Sequence, residues 1–353
     1  MPRPIYAELD YSALEHNLRV IRHRTDARVM AVIKAEAYGH GLLRSAEALR
    51  DADGYALLDL QDAVKLREAG FRQPILLLEG YFSASDLPLL AEYEISSVIH
   101  SHQQLAMLSA YPRRGSLAVW LKLNTGMNRL GFAPDQFAQA LEAVRRHPAV
   151  GEVTLMTHFA HADDPVGVVA QLDRFNAMTS AYRLPRSLAN SAALLRYPQT
   201  HADWVRPGIS LYGSSPFADV GAEQLGLRPV MTLASEIISV TELMAGDSIG
   251  YGGTFRAERA MRIGTVACGY ADGYPRHAPT GTPILVNGRR TRTLGRVSMD
   301  MLSVDLGEHP DAEVGGRVTL WGKGLSVDDV AHAADTISYE IALCALARRV
   351  PLK

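Results

Sequence analysis

The chain has 353 residues, 47% of them hydrophobic, with 36 Lys and Arg against 38 Asp and Glu and a net charge of −2. This balance lacks the basic surplus that advertises nucleic acid or an anionic membrane, and no apolar stretch reaches the roughly 20 residues of a membrane span. Met1-Pro2-Arg3-Pro4-Ile5-Tyr6 has neither the apolar run nor the small-residue cleavage site of a secretory signal, so a cytoplasmic protein with room for two domains is expected. Cys268 and Cys344 stand in apolar surroundings without metal-ligand spacing and read as small core residues.

In chain order, apolar strand-like runs alternate with helical patterns. Arg28-Val29-Met30-Ala31-Val32-Ile33 has the continuous apolar character of a strand in a parallel sheet. Strands are predicted near 29–33, 55–58, 75–78, 97–100, 117–123, 153–158, 187–190 and 205–212. Helical segments lie between them. Leu60 to Ala69 is closed by Gly70, and Phe137, Ala140, Leu141 and Val144 recur at helical spacing after Pro134. About eight alternating units predict an α/β fold with an N-terminal (β/α)8 barrel over residues 1–228, in preference to an open doubly wound sheet.

After about residue 228 the pattern changes. Pro229 to Val240, Arg262 to Cys268, Pro283 to Asn287 and Arg317 to Leu320 read as strands joined by glycine-rich turns, with Asn287-Gly288 a hairpin signal. A mostly β C-terminal domain is expected over 229–353, and a first strand near 3–9 is a candidate to pair with it. A closing helix is predicted from Val327 to Arg348, capped by Ser326, with Asp328 and Asp329 at its positive end.

Side chains at the C-terminal ends of barrel strands face the mouth where such folds do their chemistry. On this strand assignment Lys34, Lys122, His158, Asn190-Ser191 and Arg206-Pro207-Gly208 share that place. A lysine in an apolar mouth close to other cations loses preference for its charged form, so its free amine can attack a carbonyl and form a Schiff base. Pyridoxal 5'-phosphate is the obvious carbonyl partner. Its phosphate needs a cradle, for which Gly208, Ile209, Ser191 and the hydroxyl of Tyr38 are candidates. An arginine at its pyridine nitrogen would donate a hydrogen bond without giving up a proton, and so discourage full delocalisation of a carbanion.

The segment Ala31-Val32-Ile33-Lys34-Ala35-Glu36-Ala37-Tyr38-Gly39-His40-Gly41 resembles the cofactor-lysine signature of alanine racemases, fold-type III pyridoxal-phosphate enzymes. Further blocks resemble that family in the same order: Lys122 to Gly131, Thr157 to Ala160, Asn190-Ser191, Arg206 to Ile209, Gly250 to Phe255, Gly269 to Tyr274 and Gly295 to Asp300. Glu36 stands where the family often has Asn or Asp. The resemblance implies that Lys34 holds the cofactor and acts as base on one face of the substrate Cα, while Tyr251 from a second subunit serves the opposite face. It implies Arg206 at the pyridine nitrogen, with His158 linking it by hydrogen bonds towards Tyr251, and Arg129 at the cofactor's phenolic oxygen and the substrate carboxylate. It further places Lys122 where many members have a carbamylated lysine that holds the arginine, here Arg129, with an ordinary mouth lysine paired to a carboxylate as the alternative. It also implies the Met299 N–H on the carboxylate, Tyr270 and Asp300 at the entrance, and Tyr339 helping Tyr38 bind phosphate. The expected activity is racemisation of alanine in a homodimer with shared sites, making D-alanine for peptidoglycan or degrading it.

Three other readings are weighed against this one. His158-Phe159-Ala160-His161-Ala162-Asp163-Asp164 could ligate a metal in a hydrolase. That reading leaves Lys34, Arg206 and Tyr251 without a role, and no metal is expected. A non-enzymatic cofactor carrier would not need the second base. An amino-acid decarboxylase of the same fold would place a carboxylate where Arg206 stands.

Overall fold

The computed structural model describes residues 3–112, 114–346 and 350–351. Its first nine strands are β1 (Tyr6–Leu9), β2 (Arg28–Val32), β3 (Gly54–Leu57), β4 (Ile75–Leu77), β5 (Ile95–Ile99), β6 (Leu117–Lys122), β7 (Val150–Met156), β8 (Arg186–Ser187) and β9 (Trp204–Val205). The remainder are β10 (Met231–Leu243), β11 (Ser248–Ile249), β12 (Phe255–Arg256), β13 (Met261–Val266), β14 (Pro283–Val286), β15 (Arg289–Leu294), β16 (Leu302–Asp305) and β17 (Arg317–Trp321). By contacts the chain forms two units, one of Glu15–Ala37 with Gly41–Leu211, the other of Met1–Leu14, Tyr38–His40 and Tyr212–Lys353.

The first unit is a closed barrel in which β2 to β9 run parallel in sequence order, and β9 returns to β2 through Arg28 opposite Trp204. Strands buried on both faces are predominantly apolar. Accordingly every residue of β3, β4 and β5 is buried. The helix Pro134–Arg146 starts at the proline and buries Phe137, Ala140, Leu141 and Val144, the four residues marked by the sequence periodicity. The helix Leu60–Glu68 is capped by Asp59 and followed by Gly70 at φ 92°.

Two barrel strands are shorter than expected. The 187–190 strand is only Arg186–Ser187, because Leu188 and Ala189 lead into the helix Ser191–Arg196 capped by Asn190. The 205–212 strand stops at Val205, since Pro207 has no N–H for a ladder, and Ile209–Tyr212 forms a 3-10 turn.

The second unit is antiparallel. Its sheet runs β1-β10-β13-β16-β15-β14-β17, and a β10–β17 pairing closes it on itself. β1 pairs with β10 through Tyr6 opposite Ala234. The β14–β15 hairpin turns at Asn287 and Gly288, both at positive φ, 48° and 78°, with Val286 opposite Arg289. Leu233, Ile237, Val266, Ile284, Val304, Leu320 and Trp321 belong to its core, as does Cys268. The Cys344 side chain lies outside the described residues.

The single closing helix is two. Ser326 caps Val327–Ala333 by accepting the Asp328 N–H at 3.1 Å, and a second helix runs over Ser338–Leu346. Asp335 at φ 53° breaks the continuity, and Arg348 lies outside the described residues. No helix among the described residues is long and apolar enough to cross a membrane.

Candidate active site

Lys34 lies two residues past the end of β2, in a helical turn, Lys34–Gly39. From Ala35 to Gly39 the φ angles are 53, 53, 54, 54 and 80°, a run in the left-handed region. Each non-glycine residue so placed costs roughly 1–2 kcal/mol, because Cβ crowds the following carbonyl. Gly39 and Gly41, which have no Cβ, escape that crowding. The Ala37 N–H donates to Ile33 O at 3.0 Å, the Gly41 N–H to Glu36 O at 2.9 Å, and the Leu42 N–H to the Glu36 carboxylate at 3.2 Å. Lys34 is half-buried, and its amine is held below the usual lysine range by burial first and Arg129 second, with Glu79 opposing.

The other strand ends gather around the same chemistry. Lys122 closes β6, is 7% exposed, and is lowered to about 8 by burial, then by Arg206 and Arg129. His158 follows β7 by two residues; burial, then Arg206, Lys122, Arg129 and Lys34, hold it well below the usual imidazole range. Lys122, Arg129 and His158 line one niche with Asn124, Thr125 and Met127. Arg206, just beyond β9, is buried and lowered by that burial to about 10, so it stays a cation at neutral pH. It donates to Ser187 Oγ, to Thr157 O at 2.7 Å and to Leu188 O at 3.2 Å. Those bonds go to Ser187 and to main-chain carbonyls, and the cation also acts on His158 through its charge.

Asn190 caps its helix by accepting the Ala193 N–H at 2.9 Å. Beside it, Ser191 Oγ accepts the Gly208 N–H at 2.8 Å and the Ser210 hydroxyl at 3.1 Å. Ile209 is buried next to them. This packs hydroxyls and backbone amides into one small polar cluster.

The second unit holds the remaining candidates. Tyr38 is buried, with its ring 4.7 Å from that of Tyr212 and 5.9 Å from that of Tyr339, and burial pushes its phenol up so that it remains a donor. Tyr251 is 74% exposed on a turn flanked by Gly250 and Gly252, both at positive φ. A Cβ on Gly252 would stand 3.4 Å from Arg296 Nη1, so this turn lies against the start of the segment carrying Met299 and Asp300. Tyr270 joins that segment, its N–H donating to Ser298 O at 3.1 Å, while the Ala271 N–H donates to Met299 O at 2.9 Å. Met299 is exposed, and Asp300 is half-buried with its carbonyl accepting from Arg3 at 2.6 Å.

Sequence reasoning missed Glu79, Tyr212 and Gln171. Glu79 ends the apolar run Ile75-Leu76-Leu77-Leu78 and precedes Gly80, a strand-end signal of the same kind as Lys34. The suspected metal cluster is an exposed pair, His161 Nδ1 and Asp164 Oδ2 at 2.7 Å, and the described residues contain no group of three or more His, Cys, Asp or Glu that could hold an ion.

A closed parallel barrel whose strand ends carry a lysine amine held below its usual range, a buried arginine and a hydroxyl–amide cluster has the layout of a barrel enzyme. Comparison with known proteins narrows the class. Residues 9–216 match the family model described as alanine racemase, N-terminal domain, and residues 230–353 the one described as alanine racemase, C-terminal domain. The chain is 61% identical over 354 residues to the alanine racemase of Nitrosospira multiformis, covering 99% of each. It is 54% identical over 360 residues to that of Ralstonia nicotianae, covering 100% of this chain and 95% of the relative. Among solved structures, the biosynthetic alanine racemase from Pseudomonas aeruginosa superposes with a TM-score of 0.96 at 48% identity over 99% of both chains. The alanine racemase from Bacillus anthracis with bound L-Ala-P gives 0.81 at 28% identity, over 98% of this chain and 93% of that one. The chain belongs to the alanine racemase family.

Proposed function

We infer that the chain interconverts L-alanine and D-alanine, with pyridoxal 5'-phosphate as its cofactor. The observation that carries this reading is Lys34, whose half-buried amine beside Arg129 is biased towards the neutral form that attacks an aldehyde. The rest of the donor set suits the same compound. The hydroxyls of Ser191 and Ser210 with the backbone of Gly208 and Ile209, and the phenols of Tyr38 and Tyr339, would hold its phosphate. Arg206 has engaged three of its five N–H donors, which leaves others for the pyridine nitrogen. When bound, the cofactor withdraws electrons from the amino acid and makes its Cα proton removable at neutral pH.

The chain's own residues direct that proton. Lys34 serves as base on one face of Cα and Tyr251 of the partner subunit on the other, so a proton lost to one face and regained from the opposite face inverts the centre. Arg206 keeps its own proton, which restrains charge from spreading into the ring. His158, held neutral, can accept a hydrogen bond. Arg129 and the Met299 N–H receive the substrate carboxylate, with Tyr270 and Asp300 at the entrance. Lys122 has an amine fraction able to add carbon dioxide and release a proton; the carbamate would replace a cation by an anion beside Arg129 and Arg206, and hold Arg129 in place.

Tyr251 and Met299 are both exposed, at 74% and 53%, which favours completion of each site by another copy in a homodimer. The division of labour is then between residues 1–228, carrying the cofactor lysine, and 229–353, lending the second base. The unpaired, buried thiol of Cys268 suits a reducing cytoplasm.

A visible spectrum and a chiral assay test the reading. Lys34→Ala should lose both activity and the borohydride-reducible yellow absorption; a persisting chromophore refutes the lysine. Tyr251→Phe should keep the chromophore and lose most racemisation, with unequal isotope exchange at the two faces; equal and undiminished exchange refutes the two-base scheme. Carbon dioxide release in place of D-alanine would point to a decarboxylase.

A further inference from the structure

The loop that carries Arg129 is a stitched unit. Its base is closed by the Phe132 N–H on Lys122 O and the Asn124 N–H on Phe132 O, both at 2.9 Å. Inside it, Asn124 Oδ1 accepts the N–H groups of Gly126 and Asn128, each at 3.1 Å, and Asn124 Nδ2 donates to Asn128 Oδ1 at 3.0 Å. Arg129 itself is exposed and makes no side-chain hydrogen bond among the described residues. With Lys122 unmodified, the loop sets where the Arg129 side chain starts, and a carbamate on Lys122 would act on its far end.

What fixes the loop is a buried amide on the helix Val169–Thr179. Gln171 is 7% exposed, and its Oε1 accepts the Ala160 N–H at 2.8 Å. Its Nε2 donates to Thr125 Oγ1 at 3.1 Å and to His158 O at 3.2 Å. One side chain thus grips the segment just past β7, at His158 O and the Ala160 N–H, and the Arg129 loop at Thr125. Thr125 Oγ1 continues the chain to Thr157 Oγ1 at 2.7 Å, and Arg174 Nη1 donates to Thr125 O at 2.5 Å from the next turn of the same helix. The same device recurs at Gln104, also the third residue of its helix. That glutamine accepts the His100 N–H at 2.8 Å and donates to Glu79 O at 3.0 Å and Tyr81 O at 3.2 Å.

We propose that Gln171 is a positioning residue for the reaction, setting the register between the loop bearing Arg129 and the strand end bearing His158. The inference rests on the reading of Arg129 as the receptor of the substrate carboxylate. A buried amide with both ends satisfied has one geometry, and losing it frees two segments at once. A displacement of about 1 Å at a substrate-positioning group costs up to roughly 100-fold in rate or binding.

The test uses the cofactor-loaded enzyme and four variants: Gln171→Leu, the milder Thr125→Val, Arg129→Lys, and Gln171→Leu combined with Arg129→Lys. Gln171→Leu and Thr125→Val should each raise KM for alanine about 10-fold, with a smaller change in kcat, and speed hydrogen exchange across residues 123–131. In the Arg129→Lys background the further effect of Gln171→Leu on KM should largely vanish, because residues acting through one group are not additive. If Gln171→Leu fails to fold, Thr125→Val carries the comparison alone. An unchanged KM in Arg129→Lys removes the underlying reading of the site. A raised KM there, with KM unchanged in Gln171→Leu and Thr125→Val or with strictly additive effects, overturns the positioning role alone.

Discussion

Lys122→Met removes a buried cation and keeps most of its volume. In the folded chain the Lys122 amine lies at about 8, against 10.5 for a lysine in water. Below about pH 8 both folded and unfolded states hold the proton, and the native state bears the full cost of a desolvated ammonium beside Arg206 and Arg129. Between about pH 8 and 10.5 the unfolded state binds more protons, so stability rises with pH; above that range the cost is gone. That lowering is worth up to about 3 kcal/mol. In urea unfolding with carbon-dioxide-free buffers, Lys122→Met should be more stable than the parent at pH 7 by up to that amount, and the gap should close towards pH 10.5. Bicarbonate should stabilise the parent and leave the variant unmoved. A gap independent of pH, or a variant less stable than the parent at pH 7, would refute the reasoning.

Two other outcomes follow from the same mouth. His158 is held well below its ordinary range by burial and neighbouring cations, so its NMR resonances should titrate at lower pH than those of an exposed histidine; a midpoint near 6.5 would contradict the geometry. Gly131 has φ 120°, and a Cβ there would stand 2.7 Å from Asn124 N and Leu123 C. Gly131→Ala should therefore cost about 2–4 kcal/mol in urea unfolding, from strain plus overpacking, and raise KM by shifting the Arg129 loop; an unchanged midpoint and KM would count against it.

Much of this architecture was readable because strands buried on both faces write themselves as apolar runs, and the mouth residues fall at the ends of those runs. Arg289-Arg290-Thr291-Arg292 escaped the same logic. These residues belong to β15, where the ladder and ion pairs of Arg289 with Asp311, Arg290 with Asp329 and Arg292 with Asp305 offset the charge. The break between the last two helices was hidden because apolar residues continue through it at Ile337 and Ile341, while the interruption lies in the backbone of Asp335. Gln171 carried no local signal at all. Its partner Thr125 is 46 positions away, and only the closed barrel makes them neighbours.

The turn after Lys34 has a further consequence. Its four non-glycine residues hold a mirror-image backbone that their own chirality opposes, so a peptide cut from this region would relax to the ordinary hand and aim its amine elsewhere. The direction of the Lys34 amine is thus a collective product of the finished fold. A transplant of the signature residues into another scaffold would carry the chemistry's letters without its spelling.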